Sequence, residues 1–117
     1  MDIERHRSYC IAKNGVTEEM PFGPDTLVCK VMGKIFAISP IEPFTSVSLK
    51  VDPETGVDLR ERYEAVKPGY HLNKKHWITV TLDGSVPDKI LLQWIDNSYN
   101  LVVASLTKKQ KTALESM

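Results

Sequence analysis

Two segments of the chain alternate apolar and polar residues with a period of two, which predicts strands with one buried face. They are Ser46–Val51 and His76–Leu82. The apolar positions are Val47, Leu49 and Val51 in the first segment and Ile78, Val80 and Leu82 in the second. Trp77, Thr79 and Thr81 fall on the opposite face of the second strand, so this face is expected to meet solvent.

A third region rich in β-branched residues predicts a hairpin. Leu27–Met32 and Lys34–Ser39 flank Gly33, and the short connection favours antiparallel pairing of the two strands. Two stretches that contain proline and glycine are predicted to be irregular. Val16–Asp25 is predicted to be a loop, and the Lys67-Pro68-Gly69 run is predicted to be a turn.

Capping residues predict where the helices begin and end. Asp2 caps a first helix with Ile3, Cys10 and Ile11 near one face, and Asn14-Gly15 ends it. Asp52-Pro53-Glu54 predicts the start of a second helix. A capping box of Ser85 and Asp88 predicts the start of a third, which carries the longest apolar stripe, and Thr107 with Gln110 predicts the start of a fourth. The element order predicts an α+β fold, an antiparallel sheet packed by N- and C-terminal helices, in a single domain over residues 1–117.

Composition narrows the classes of function. The 117 residues hold 15 Lys+Arg and 15 Asp+Glu, a formal net charge of zero, which excludes a chain that coats nucleic acid through bulk charge alone. No apolar run approaches the roughly 20 residues of a membrane span, so no membrane partner is expected. The charged start Asp2–Arg7 does not resemble a secretory signal, and a cytoplasmic location is the expectation.

The residues with catalytic or metal-binding chemistry form no known pattern. Cys10 and Cys29 are separated by eighteen residues, so we expect two buried thiols rather than a disulfide or a zinc site. The spacing of His71 and His76 is not typical of metal ligands either, and no cofactor is expected. No nucleophile or phosphate-loop motif occurs, which favours a non-enzymatic protein. An enzyme would have to use His71, His76 and Asp83.

Lys67–Leu82 is the most informative segment for function. It contains no acidic residue but three lysines, two histidines, Tyr70 and Trp77. Cations beside aromatic rings favour contact with a phosphate backbone and stacked bases. The candidate phosphate contacts are Lys67, Lys74 and Lys75, with Arg60 and Arg62 upstream, and the candidates for hydrogen bonding or stacking are His71, Asn73 and Trp77. The alternative is a protein-interaction domain anchored by Tyr70 and Trp77, since Trp and Tyr are enriched at interface hot spots.

The same segment resembles the MmcQ/YjbR family. The resemblance lies in the run HLNKKHWITV, His71–Val80, and in LDGSVPD, Leu82–Asp88. Three further stretches are similar to the family's central strand, long helix and N-terminal helix end: Ser46–Lys50, Asp96–Tyr99 and Cys10–Val16.

This resemblance implies a frataxin-like (CyaY-like) α+β fold. It also implies a DNA-binding role in which two hairpin-like protrusions, the wings, contact DNA. The first wing would be Leu27–Ser39, which carries Lys30 and Lys34, and the second would be the loop before His76. The leading hypothesis is therefore a small DNA-binding protein, with another protein as the alternative partner.

Overall fold

Six strands and four helices form along the chain, and the computed structural model describes all 117 residues. The strands make one antiparallel sheet in the order β1-β2-β3-β4-β6-β5. The elements are α1 (Ile3–Ile11), β1 (Val16–Glu19), β2 (Thr26–Val31), β3 (Lys34–Pro40), β4 (Ser46–Lys50), α2 (Pro53–Arg62), β5 (Val66–Pro68), β6 (Trp77–Thr81), α3 (Asp88–Ala104) and α4 (Lys108–Glu115). The predicted α+β class is confirmed.

Both segments with period-two patterns are central strands. β4 and β6 pair side by side, with Leu49 opposite Ile78 and Val47 opposite Val80, and all four side chains are fully buried. The β2–β3 hairpin also forms as predicted. Its turn residues Met32 and Gly33 both have positive φ, the geometry that matches the twist of a two-residue hairpin.

The two regions predicted to be irregular form the edges of the sheet. Val16–Glu19 falls in the predicted loop but is β1 and pairs with β2. Lys67 and Pro68 fall in the predicted turn but belong with Val66 to β5, which pairs with β6. Neither Val-Thr-Glu-Glu nor Val-Lys-Pro alternates apolar and polar residues, so the sequence carries no strand pattern there. Pro68 is tolerated because an edge strand does not need every backbone N–H.

The N-terminal end of α3 also differs from the prediction. The helix begins at Asp88 after Pro87 and has no side-chain cap, because Ser85 donates its backbone N–H and its hydroxyl to Asp83 instead. The Asp88 carboxylate accepts from the N-terminal ammonium at 3.1 Å and from Arg5 at 2.6 Å. In α1, Ile11 is exposed, and His6 and Cys10 face the interior.

The helices leave one face of the sheet uncovered. α3 packs across β3 and β4, α1 contacts β1, and α2 contacts β5. Strand register aligns Ile38, Ser48 and Thr79 across β3, β4 and β6 on the face away from the core residues Leu49 and Ile78. We call this the open face. No helix is long and apolar enough to cross a bilayer.

A serine from α3 is inserted where β3 and β4 separate. Their ladder contains only two residue pairs, Ala37–Leu49 and Ile38–Ser48. At the next position the fully buried Ser98 hydroxyl accepts from the Lys50 N–H at 2.9 Å and donates to the Phe36 carbonyl at 2.6 Å. One side chain therefore satisfies two backbone groups and joins both strands to the helix layer.

We expect Ser98→Ala to lower the free energy of unfolding by about 2–4 kcal/mol, because two buried backbone groups lose their partner at once. Urea unfolding followed by circular dichroism measures the change. Ser116→Ala is the control, since its exposed hydroxyl bonds only to the Thr112 carbonyl, and it should shift stability by less than about 0.5 kcal/mol. Equal stability of the two variants would contradict the bridging role.

Candidate nucleic-acid interface

A groove of about 570 Å³ lies on the open face. Its lining includes hydroxyl side chains from β4 and β6 and residues from two loops. The lining residues are Phe22, Thr26, Ile38, Ser39, Pro40, Thr45, Ser46, Ser48, Tyr70, His71, Leu72 and Thr79. None of them is acidic, and Ser39 has a buried hydroxyl without a hydrogen-bond partner. The groove therefore offers uncharged hydrogen-bonding groups and no carboxylate.

One side of the groove is formed by the loop of residues 69–76, which we call the β5–β6 loop. The Gly69 N–H donates to the Trp77 carbonyl at 2.9 Å, and the Tyr70 N–H donates to the Thr79 hydroxyl at 2.9 Å. Gly69 is required by space, because a Cβ at this position would lie 2.6 Å from the Cβ of Trp77. The loop is thus held against the open face at its start.

Asn73 and Lys74 stabilise the same loop from within. The Asn73 side-chain oxygen accepts from the backbone N–H groups of Lys75 and His76, at 2.9 and 3.2 Å. The Lys74 ammonium donates to the Gly69 carbonyl. Asn73, predicted as a ligand contact, therefore has a positioning role, and Lys74 combines a positive charge with a loop contact.

Exposed aromatic rings line the groove. Tyr70 is 71% exposed and Phe22 is 66% exposed. The rings of Tyr70 and His71 lie 4.0 Å apart between centroids. Trp77 is half-buried, with its Cβ against Gly69, so Tyr70 is the more accessible stacking surface of the two predicted anchors.

The lysines around the β5–β6 loop have no carboxylate partner. Lys67, Lys74 and Lys75 are exposed, and none of them takes part in the seven salt bridges of the protein. Unpaired exposed cations are available to a phosphate without first breaking an ion pair.

The other predicted cations lie in different surroundings. Lys30 pairs with Glu19 at 3.3 Å, and Arg62 pairs with Asp58 at 3.3 Å. Lys34 at the β2–β3 turn donates to the carbonyl of Ser105, at the end of α3. Arg60 lies on α2, with one guanidinium nitrogen buried near Gly56. The structure therefore does not bring these four residues together with the β5–β6 loop at the groove.

The residues considered for an enzyme are not gathered in one cavity. His71 lines the groove, whereas Asp83 lines a separate depression with Arg62, Tyr63 and Lys67, and His76 lines neither. Hydrogen bonds from Ser85 lower the pKa of the Asp83 carboxyl. Sequence patterns missed Phe22, Ser39 and Ser46 as groove residues, because strand order and loop position bring them together.

A family model and several relatives match this chain over most of its length. The model of a family described as YjbR matches residues 11–101. The chain is 36% identical over 115 residues to the uncharacterized protein YjbR of Escherichia coli K12, covering 97% of this chain and 98% of that protein. It is 40% identical over 92 residues to the uncharacterized protein YbdF of Escherichia coli O157:H7, covering 78% and 75%.

Solved structures extend the similarity to the fold. The crystal structure of Deinococcus radiodurans protein DR2400 matches with a TM-score of 0.91 at 41% identity, covering 97% of this chain and 88% of that one. A Pseudomonas syringae protein matches with a TM-score of 0.74 at 28% identity, covering 86% and 98%.

We expect Asn73→Ala to raise the amide exchange rates of Lys75 and His76 about tenfold, because a lost hydrogen bond of about 1–1.5 kcal/mol corresponds to such a factor. Hydrogen–deuterium exchange measured by NMR resolves these amides. Asn100→Ala, at an exposed position of α3, is the control and should leave both rates unchanged. Unchanged exchange in Asn73→Ala would contradict the positioning role.

Proposed function

The chain belongs to the YjbR family, and from that premise we propose that it binds DNA, without catalysis, through the open-face groove and the β5–β6 loop. One observation carries this proposal: Lys67, Lys74 and Lys75 are exposed, form no salt bridge, and belong to an acid-free segment that also lines an aromatic groove without carboxylates. This combination meets the two requirements of single-strand binding, a path for phosphates and a surface on which bases stack.

The proposed contacts are of two chemical kinds, ionic contacts with phosphates and stacking contacts with bases. Lys67, Lys74 and Lys75 neutralise phosphates, which positions a strand without reading its sequence. Tyr70 and Phe22 offer ring faces to unpaired bases, a contact worth about 1–3 kcal/mol per base.

This arrangement favours a single strand over a duplex. Exposed rings at a groove suit bases that are already unstacked. The two cations of the first proposed wing, Lys30 and Lys34, do not line the groove: Lys30 pairs with Glu19, and Lys34 donates to the Ser105 carbonyl at the end of α3. The β5–β6 loop therefore supplies two of the three proposed phosphate contacts, Lys74 and Lys75.

A second candidate is the docking of another protein at the same groove. The large exposed rings of Phe22 and Tyr70 favour it, because aromatic residues are enriched at interface hot spots. Trp77 contributes less to either candidate because it is partly covered. Salt dependence separates the two candidates, since counterion release accompanies phosphate contacts.

We expect purified protein to bind a fluorescein-labelled oligothymidine, with an affinity that falls linearly in log–log form between about 50 and 200 mM salt. Lys75→Ala should weaken binding and reduce the magnitude of the slope by about 0.7, the value for one phosphate contact on a single strand. Fluorescence anisotropy across the salt series measures both quantities.

Lys108→Ala is the matched control, because Lys108 is exposed and without a salt bridge but lies at the start of α4. It should retain the wild-type affinity and slope. Absence of binding at the lowest salt would overturn the proposal. An equal loss in both lysine variants would assign the binding to overall charge instead of the groove.

A further inference from the structure

A buried cluster of one histidine and two cysteines lies beneath the opposite face of the sheet. His6 and Cys10 are four residues apart on α1, and Cys29 is on β2. Their ligand atoms lie within 4.8 Å of one another, and all three residues are at most 1% exposed. Helix periodicity places the first two on one face of α1, and the packing of α1 on the sheet brings the third to them.

We propose that His6, Cys10 and Cys29 bind one Zn²⁺ ion. Typical Zn–S and Zn–N bonds of about 2.3 and 2.0 Å give ligand separations of about 3.5–3.8 Å in a tetrahedral site. The distance from Cys10 Sγ to His6 Nδ1 is 3.9 Å, so these two atoms need to move only slightly.

If His6, Cys10 and Cys29 only filled the core, their ring nitrogens and thiols would have only weak hydrogen-bond partners. The side-chain hydrogen-bonding contact of the His6 ring is to the sulfur of Cys10, and sulfur is a weak partner. Both sulfurs lie within 4.8 Å of each other and of a ring nitrogen of His6. Binding of zinc would release the thiol protons, because the thiolate is the form that binds a metal ion.

Charge balance favours a divalent ion. Two thiolates, a neutral imidazole and Zn²⁺ sum to zero, which limits the cost of burial. A monovalent copper ion would leave a negative charge near Glu18, which lies opposite Cys29 on β1 and already pairs with Arg7 at 2.8 Å. Thiolate and imidazole ligands select against magnesium and calcium.

The test uses the full chain, unfolded with a chelator and reductant and refolded with Co²⁺ or Zn²⁺, since buried ligands are reached most readily in the unfolded chain. We expect thiolate-to-cobalt charge-transfer bands, one zinc per chain after gel filtration, and a higher melting temperature with zinc than with chelator. Cys29→Ser should lower zinc affinity more than about a hundredfold, beyond the effect of losing an outer-shell partner.

His6→Asn should remove the site, whereas His76→Asn, the same substitution at an exposed histidine, should retain it. The wild-type cobalt spectrum decides the question even if a core variant fails to fold. Missing thiolate bands, zinc well below one per chain, or equal zinc binding by His6→Asn and His76→Asn would overturn the proposal.

Discussion

The hydroxyl of Ser98 joins β3 and β4, the internal pair of strands with the fewest paired residues. β3 and β4 share only two residue pairs, and beyond them the same hydroxyl bonds to the Lys50 N–H and the Phe36 carbonyl. Without that bridge, two buried backbone groups would lack partners in the core. Because the bridge comes from α3, the helix layer also fixes the register that aligns Ile38, Ser48 and Thr79 on the other face.

The proposed binding surface depends on that alignment. Thr79 contacts the Ser48 hydroxyl at 2.8 Å and accepts from the backbone of Tyr70, so the sheet surface positions the start of the β5–β6 loop. Gly69 permits the close approach, and Asn73 organises the later turn. The exposed lysines and the Tyr70 ring are thereby presented from a loop with several backbone anchors, which lowers the entropy lost on ligand binding.

Sequence patterns predicted the elements whose periodicity or capping chemistry is local. The alternation of β4 and β6, the β2–β3 turn and the Thr107–Gln110 capping box are all present. β1 and β5 were not predicted because short edge strands owe their structure to a neighbouring strand. The basic segment was visible in the sequence, but the groove was not, since Phe22 and Ser39 reach it through tertiary structure. The histidine and cysteine cluster was hidden for the same reason: only the four-residue spacing of His6 and Cys10 is local.

A titration of ¹⁵N-labelled protein with oligothymidine, followed by amide chemical shifts, shows whether a single strand binds at the groove. The small chain of 13.2 kDa suits this measurement. We expect shifts concentrated at Tyr70–Lys75, Ser46 and Thr79, which belong to the β5–β6 loop and the groove. Shifts confined to α3 and α4, or no shifts at low salt, would contradict binding at the groove.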